Sequence, residues 1–206
     1  MRNLDLTGMV FSRANLQGAR LAGANLEHAD FYGARLDDAV FDGADLGDSK
    51  LVSASAARAS FQQIRARRAS FSRARLQQAK FNGARLQDSN FYEARLQASD
   101  FSDASLQSAS LERVQADRAR FTGARLQRAR LTGARLRDAD FSGADLRRAN
   151  LDQARLNNTR FREALLDKAS LREADMEDVD FTGASLGDAT WPDYRRCRAG
   201  SIGVCQ

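Results

Sequence analysis

A five-residue repeat runs through almost the whole chain and constrains its fold more than any other feature. Every fifth residue from Leu6 to Trp191 is a repeat centre, and the pattern continues without an insertion or deletion. The centre is usually Leu or Phe, the residue two positions before it is usually Ala, and most of the 14 glycines lie two positions after it. Such regularity predicts a repetitive architecture in which each unit packs against its neighbours.

The period of five favours extended segments over an α-helix. Five residues advance a helix by about 500°, so the centres would face every direction and form no apolar stripe. In an extended segment, the small residue and the centre point to the same side because they are two positions apart. The next two residues can turn the chain, and Gly tolerates the dihedral angles of a turn. Ala, Leu and Arg favour helices by propensity, but a helix does not explain why Gly keeps one slot. We therefore predict a solenoid with the centres inside.

The phenylalanines indicate the size of one coil. All 12 lie at repeat centres, and their positions differ by multiples of ten. Four units per coil would stack the longest series on one inner face, as offset aromatic rings prefer, and would give about nine coils. This predicted core ladder comprises Phe41, Phe61, Phe81, Phe101, Phe121, Phe141, Phe161 and Phe181.

The units resemble those of pentapeptide-repeat proteins. A typical unit reads Ala-Asp-Phe-Ser-Gly at 139–143, and the similarity extends over roughly residues 4–191. The resemblance implies an all-β fold, a right-handed quadrilateral parallel β-helix with four pentapeptides per coil. It implies no single activity, although one branch of the family mimics DNA and binds type II topoisomerases. We expect a β-helix over residues 1–191 and an irregular C-terminal cap over residues 192–206.

Charge is banded along the sequence, and the net charge is +5. Residues 49–87 contain nine Lys or Arg and no acidic residue, and the flanking segments are acidic. A twenty-residue coil would also align several arginines in one outer column. Together these cations form a candidate interaction surface: Arg58, Arg65, Arg67, Arg68, Arg73, Arg75, Lys80, Arg85, Arg95, Arg135 and Arg155. The alternative is that mixed charge only keeps a solvated rod in solution.

Catalysis is not expected from this composition. His28 is the single histidine, and paired carboxylates such as Asp37 and Asp38 would lie on flat outer faces, whereas acid–base chemistry needs a pocket that excludes water. We therefore expect no enzyme, no cofactor, no metal site and no small-molecule substrate. The predicted function is a structural scaffold whose banded faces bind a protein partner. That partner could be a second copy joined end to end, because the N-terminal coil lacks a visible cap.

A nucleic-acid-associated role is the alternative function. The protein would then bind a topoisomerase such as gyrase, or bind a phosphate backbone directly through the basic band at 49–87. Continuous acidic charge, which a DNA mimic needs, is missing from the basic middle of this chain.

The two cysteines do not decide in which cellular compartment the protein resides. Cys197 and Cys205 could form a disulfide that pins the cap, or could remain free thiols. A disulfide requires an oxidising compartment, but the sequence shows neither an export signal nor a long apolar stretch. The sequence as written favours the cytoplasm, and a disulfide would favour export of a chain trimmed from a longer precursor.

Overall fold

The computed structural model describes residues 4–206. This part of the chain contains no α-helix and no strand of several residues; single-residue bridges recur every five residues instead. The parallel bridges each join a residue to the one twenty positions later, from Asp5–Asn25 to Ser170–Thr190. One coil therefore takes twenty residues and is bridged at four places, so the chain forms a four-sided solenoid.

The four sides can be numbered by their bridged residues. Walls 1, 2, 3 and 4 carry the columns that begin at Asp5, Val10, Asn15 and Arg20, and each column continues at every twentieth residue. Walls 1 and 3 are opposite each other, as are walls 2 and 4. Each wall also includes the outward side chains of the turn that follows its bridged residue.

Backbone hydrogen bonds between successive coils let this sequence form a solenoid without regular strands, and in some units with Asp before the centre every backbone donor is satisfied. In the unit from Asp140 to Ala144, Phe141 and Gly143 donate to the next coil and Asp140 donates to the previous one. The N–H of Ala144 closes the turn on the Phe141 carbonyl at 3.0 Å, and the N–H of Ser142 donates to the Asp140 carboxylate at 2.9 Å.

The residue two positions after each centre occupies what we call the turn slot, and it adopts a left-handed conformation. The φ angle is +65° at Gly143 and +55° at Ala98, and the same sign recurs at nearly every turn slot. Glycine adopts this conformation without steric cost, whereas an L-residue is strained there. This requirement explains why most of the glycines share one position in the repeat.

Side chains fill the interior. The small residues and the centres of most units are fully buried. The eight rings of the Phe41–Phe181 series stack along wall 4 with centroid separations of 4.6 to 5.3 Å. Phe71 on wall 2 meets Phe81 edge to face at 5.7 Å. Rings from opposite walls therefore touch across the middle of the rod.

The two ends of the solenoid differ. Residues 192–206 fold back on the last coil through antiparallel bridges, Ser185 to Ile202 and Thr190 to Arg196. A disulfide between Cys197 and Cys205 closes this segment. At the N-terminal end, Phe11 and its neighbouring centres are only partly buried.

Candidate interaction surfaces

The cations of the basic band at 49–87 do not share one surface. Arg65 and Arg85 are bridged on wall 1, whereas Arg75 and Arg95 are bridged on wall 3, the opposite side of the rod. Lys80 lies on wall 4. A band that is continuous in sequence thus becomes a ring around the solenoid, and only part of it can face any one partner.

Most cations of the band are paired with acids from neighbouring coils. Their partners lie in the flanking acidic segments, twenty or twenty-one residues away, where the coil geometry brings them alongside. The five pairs are Arg58–Asp38 at 2.7 Å, Arg65–Asp45 at 3.0 Å, Arg67–Asp88 at 3.3 Å, Arg68–Asp48 at 2.6 Å and Arg73–Glu93 at 2.9 Å. Hydrogen bonds from the arginines lower the pKa values of Asp38, Asp48 and Glu93. These arginines hold coils together and are less available to a partner.

The remaining cations of the candidate surface form no ion pair within residues 4–206, with one exception. The exception is Arg135, which lies 3.3 Å from the Asp117 carboxylate. The unpaired set comprises Arg75, Lys80, Arg85, Arg95 and Arg155.

One column of arginines on wall 3 combines several of these groups. We call it the arginine column; it comprises Arg35, Arg75, Arg95, Arg135 and Arg155. Ser55 interrupts it and donates to Asp37 at 2.9 Å, and Gln115 interrupts it and accepts from Gln97 at 3.0 Å. Arg75 and Arg95 line a shallow groove of about 280 Å³.

A second group of cations does not stand out as a charge band in the sequence. Arg128, Arg148 and Lys168 follow one another in the turn slots beside wall 1, in three consecutive coils. We call them the cation ladder. They line a groove of about 500 Å³ together with Gln127, Arg147 and Asp167. Their spacing of twenty residues could have identified them from the sequence. Acidic residues lie between them along the chain, so they do not form a continuous run of positive charge.

A three-residue group near the N-terminal end has ligand atoms suitable for a metal. One ligand atom each from Glu27, His28 and Asp48 lies within 4.8 Å of the others. Both Asp48 oxygens already accept hydrogen bonds from Arg68, at 2.8 and 2.6 Å. A cation would have to displace that guanidinium, so we assign no metal to this group.

The carboxylates that could be suspected of acid–base chemistry are engaged in structural contacts. Asp37 accepts from the Ser55 hydroxyl and from the backbone N–H of Ala57 at 2.9 Å, and Asp38 accepts from Arg58. Both lie on an outer wall beside solvent rather than in an enclosed pocket.

Similarity to known proteins agrees with this architecture. The family described as "Pentapeptide repeats (8 copies)" matches residues 1–27, 10–48, 124–162, 144–183 and 159–190, and the family described as "Pentapeptide repeat region" matches residues 34–111. No curated protein matches the chain significantly. In the described part of the chain, no helix is long and apolar enough to cross a membrane.

Two solved structures are similar over nearly the full length. HetL, a pentapeptide repeat protein involved in heterocyst differentiation regulation from Nostoc sp. strain PCC 7120, is 27% identical with a TM-score of 0.69, covering 95% of this chain and 93% of HetL. A trypsin-treated variant of QnrB1, a plasmid-mediated fluoroquinolone resistance protein, is 22% identical with a TM-score of 0.53, covering 91% and 90%. The repeats predicted from the sequence are thus confirmed by both comparisons. The chain belongs to the pentapeptide repeat family.

Proposed function

We propose that this protein is a non-enzymatic scaffold whose outer walls bind a macromolecular partner, foremost a protein with an acidic surface. The observation that carries the proposal is the filled interior, in which Phe71 and Phe81 meet from opposite walls. Functional groups are therefore confined to the outside. In this proposal the repeats predicted over 1–191, of which residues 1–3 lie outside the described part of the chain, form a right-handed square rod of about nine coils, and residues 192–206 cap it.

The arginine column on wall 3 is the proposed docking surface. Arg75 and Arg95 occupy bridged positions in adjacent coils, about 4.8 Å apart along the rod. Neither forms an ion pair with another residue in 4–206, so their like charges repel without compensation. Acidic groups of a partner would relieve that repulsion, and arginine binds carboxylates with two parallel hydrogen bonds. The similarity to HetL, which is involved in regulation, supports a regulatory role over a catalytic one.

The charge distribution favours a protein partner over nucleic acid. The unpaired cations of 49–87 are divided among all four walls, so they cannot line one phosphate backbone. Asp37 and Asp117 lie beside the arginine column, and each would repel a continuous polyanion. Direct binding of nucleic acid through the band at 49–87, or binding to a topoisomerase, therefore remains the weaker alternative.

The open N-terminal coil supports pairing between two copies of the chain. The backbone N–H and C=O groups of Val10, Asn15 and Arg20 have no backbone partner among residues 4–206. Met9 and Val10 are 49% and 71% exposed. An unpaired edge with apolar side chains is suited to another chain, so we propose end-to-end association as a second mode of interaction.

Capture of the partner from the native source tests the docking surface. The bait proteins are the wild type, Arg75→Glu/Arg95→Glu, and a control, Arg160→Glu/Arg172→Glu, that makes the same charge change on walls 4 and 2, outside both proposed surfaces. We expect the wild type and the control to capture the same protein and the wall 3 variant to lose it. Equal capture by all three baits would contradict the proposal.

The nucleic-acid alternative has its own measurement. Binding of a labelled DNA duplex is followed at several salt concentrations. Backbone binding predicts a steep linear dependence of log affinity on log salt, and the wild type is expected to show no such binding near physiological salt. A steep dependence, abolished by Arg75→Glu/Arg95→Glu, would favour the alternative.

A further inference from the structure

The cation ladder differs from every other column of turn slots in the solenoid. Elsewhere in these columns, no two consecutive coils both carry a cation; Arg68, for example, lies between Asp48 and Asp88 in the same column. Beyond Ser108, that column then presents Arg128, Arg148 and Lys168 without an intervening acid.

The Asp167 carboxylate lies in the groove beside the ladder, but no acidic side chain within residues 4–206 forms an ion pair with any of the ladder's three members. The acid that ends the column, Asp188, instead lies 3.3 Å from Arg196 of the C-terminal cap. The one carboxylate that follows Lys168 in the column is therefore paired with the cap, and the ladder has no ion-pair partner there.

The backbone fixes the ladder in a regular geometry. Arg128, Arg148 and Lys168 have φ angles of 60°, 62° and 62°, so their side chains leave the rod in the same direction. Adjacent members are separated by one coil, about 4.8 Å, and all three are exposed. Three like charges at this spacing repel one another, and a row of anions at a similar spacing would be stabilised by all of them.

The groove beside the ladder has mixed polarity. Gln127, Arg147 and Asp167 form its other side. Arg147 is held by two hydrogen bonds to Asp145, at 2.9 and 2.5 Å, and Asp167 accepts from the Ser185 hydroxyl at 2.8 Å. One side of the groove is therefore cationic and the other contains a fixed carboxylate. A ligand that is negative on one edge only fits this groove better than a uniform polyanion does.

We propose that the cation ladder binds an acidic helix of a different protein, with carboxylates at positions i, i+4 and i+7 or i+8. Residues three or four apart on a helix advance about 4.5–6 Å along its axis, a range that includes the coil spacing, whereas phosphates on one DNA strand advance about 3.4 Å along the duplex axis. A second copy of this chain is a poor match, because no column of its own carries acids in three consecutive coils. The inference rests on the proposed scaffold function. It specifies the chemistry of a partner that binds at wall 1, whereas the docking surface proposed above is on wall 3.

Binding of designed peptides to the full chain tests this inference. The probe is a fluorescein-labelled helical peptide with glutamates at i, i+4 and i+8 on one face, and the reference peptide has the same composition with the glutamates dispersed. The ladder variant is Arg128→Gln/Arg148→Gln/Lys168→Gln. The matched control is Arg113→Gln/Arg160→Gln/Arg172→Gln, which removes three arginines from walls 2 and 4; none of them belongs to a proposed surface or forms an ion pair in the described chain.

We expect the striped peptide to bind the wild type at least tenfold more tightly than the dispersed peptide. The ladder variant should lose at least tenfold in affinity for it, and the control should stay within twofold of the wild type. Three results would overturn the inference: no binding to the wild type, equal binding of both peptides, or an equal loss in the control. Tighter ladder-dependent binding of a DNA duplex or of phosphatidylserine vesicles would also overturn it.

The outcome is separable from that of the partner capture. If the striped peptide fails but Arg75→Glu/Arg95→Glu abolishes capture, the scaffold function stands and only the helix site is lost. If the peptide binds through the ladder and partner capture is unaffected by the wall 3 variant, the docking surface is misassigned and the helix site stands.

Discussion

The guanidinium of Arg68 donates hydrogen bonds to both carboxylate oxygens of Asp48, which lies twenty residues earlier in the chain, at 2.8 and 2.6 Å. This contact joins two consecutive coils on the outside of the rod, parallel to the backbone bridges. It also places a cation of the basic band against an acid of the preceding acidic segment. Charges that look segregated in the linear sequence are therefore interleaved along the rod axis.

A double-mutant cycle on this pair should show a coupling that depends on pH. The hydrogen bonds from Arg68 lower the pKa of Asp48. A carboxylate whose pKa is depressed by folding contributes stability above its unfolded pKa, about 4, and loses it as pH falls through the folded value. Urea unfolding of the wild type, Arg68→Gln, Asp48→Asn and the double variant should give a coupling at pH 7 that decreases as the pH is lowered to 2. A coupling of equal size at both pH values would exclude the ion pair as its source.

Exchanging residues in the turn slot should change stability with opposite signs at two sites. Ala98 is strained by its φ of +55°. Gly143 adopts a φ of +65°, and a Cβ added there would have no heavy atom within 4 Å. Relief of left-handed strain is about 1–2 kcal/mol, and the extra flexibility of Gly in the unfolded chain offsets about 0.4–1 kcal/mol. We expect Ala98→Gly to stabilise and Gly143→Ala to destabilise by roughly 0.5–1 kcal/mol each. Urea denaturation measures both; shifts of the same sign would contradict the strain argument.

The repeat and the coil length could be predicted from the sequence because both depend on local periodicity. The phenylalanine spacing of twenty identifies the coil that the bridges of the structure display, as the pair Phe81 and Phe101 illustrates. The position of the surface charges could not be inferred from bands, because neighbours in space lie twenty or so residues apart. Arg67 pairs with Asp88, and Arg162 with Asp180, so even the offset varies with the reach of each side chain.

Truncating the middle of the phenylalanine stack should be costly. Phe81 stacks on Phe61 and Phe101 at 4.8 and 4.6 Å and meets Phe71 and Phe91 edge to face. Phe81→Ala removes a fully buried ring and should destabilise the protein by about 3–5 kcal/mol.

The end of the same stack provides the comparison for Phe81→Ala. Phe181 is 9% exposed, stacks on Phe161 and has Trp191 on its other side. Because fewer rings surround it, Phe181→Ala should cost less in the same urea titration. Equal losses at the two positions would show that the stack does not set the stability of the rod.

Opening the cap disulfide should weaken the C-terminal end. The bond joins Cys197 and Cys205, which are eight positions apart, and the loop-entropy relation gives an upper limit of about 2–3 kcal/mol for its effect. Cys197→Ser/Cys205→Ser should lower the urea midpoint reported by Trp191 fluorescence, and dithiothreitol should produce the same shift in the wild type only. If reductant shifts the double variant equally, the disulfide is not responsible.

Charging the open N-terminal edge should abolish association between copies of the chain. Val10 is 71% exposed, and its backbone N–H has no hydrogen-bond partner among residues 4–206. A lysine on an exposed edge blocks pairing with another chain by charge and desolvation. Light scattering after size-exclusion chromatography should show a concentration-dependent dimer for the wild type and a monomer for Val10→Lys. Ile202→Lys makes the same change at a 64% exposed aliphatic residue in the cap and should still dimerise. A wild type that stays monomeric at every concentration, or an Ile202→Lys variant that dissociates as readily as Val10→Lys, would rule out pairing through the N-terminal coil.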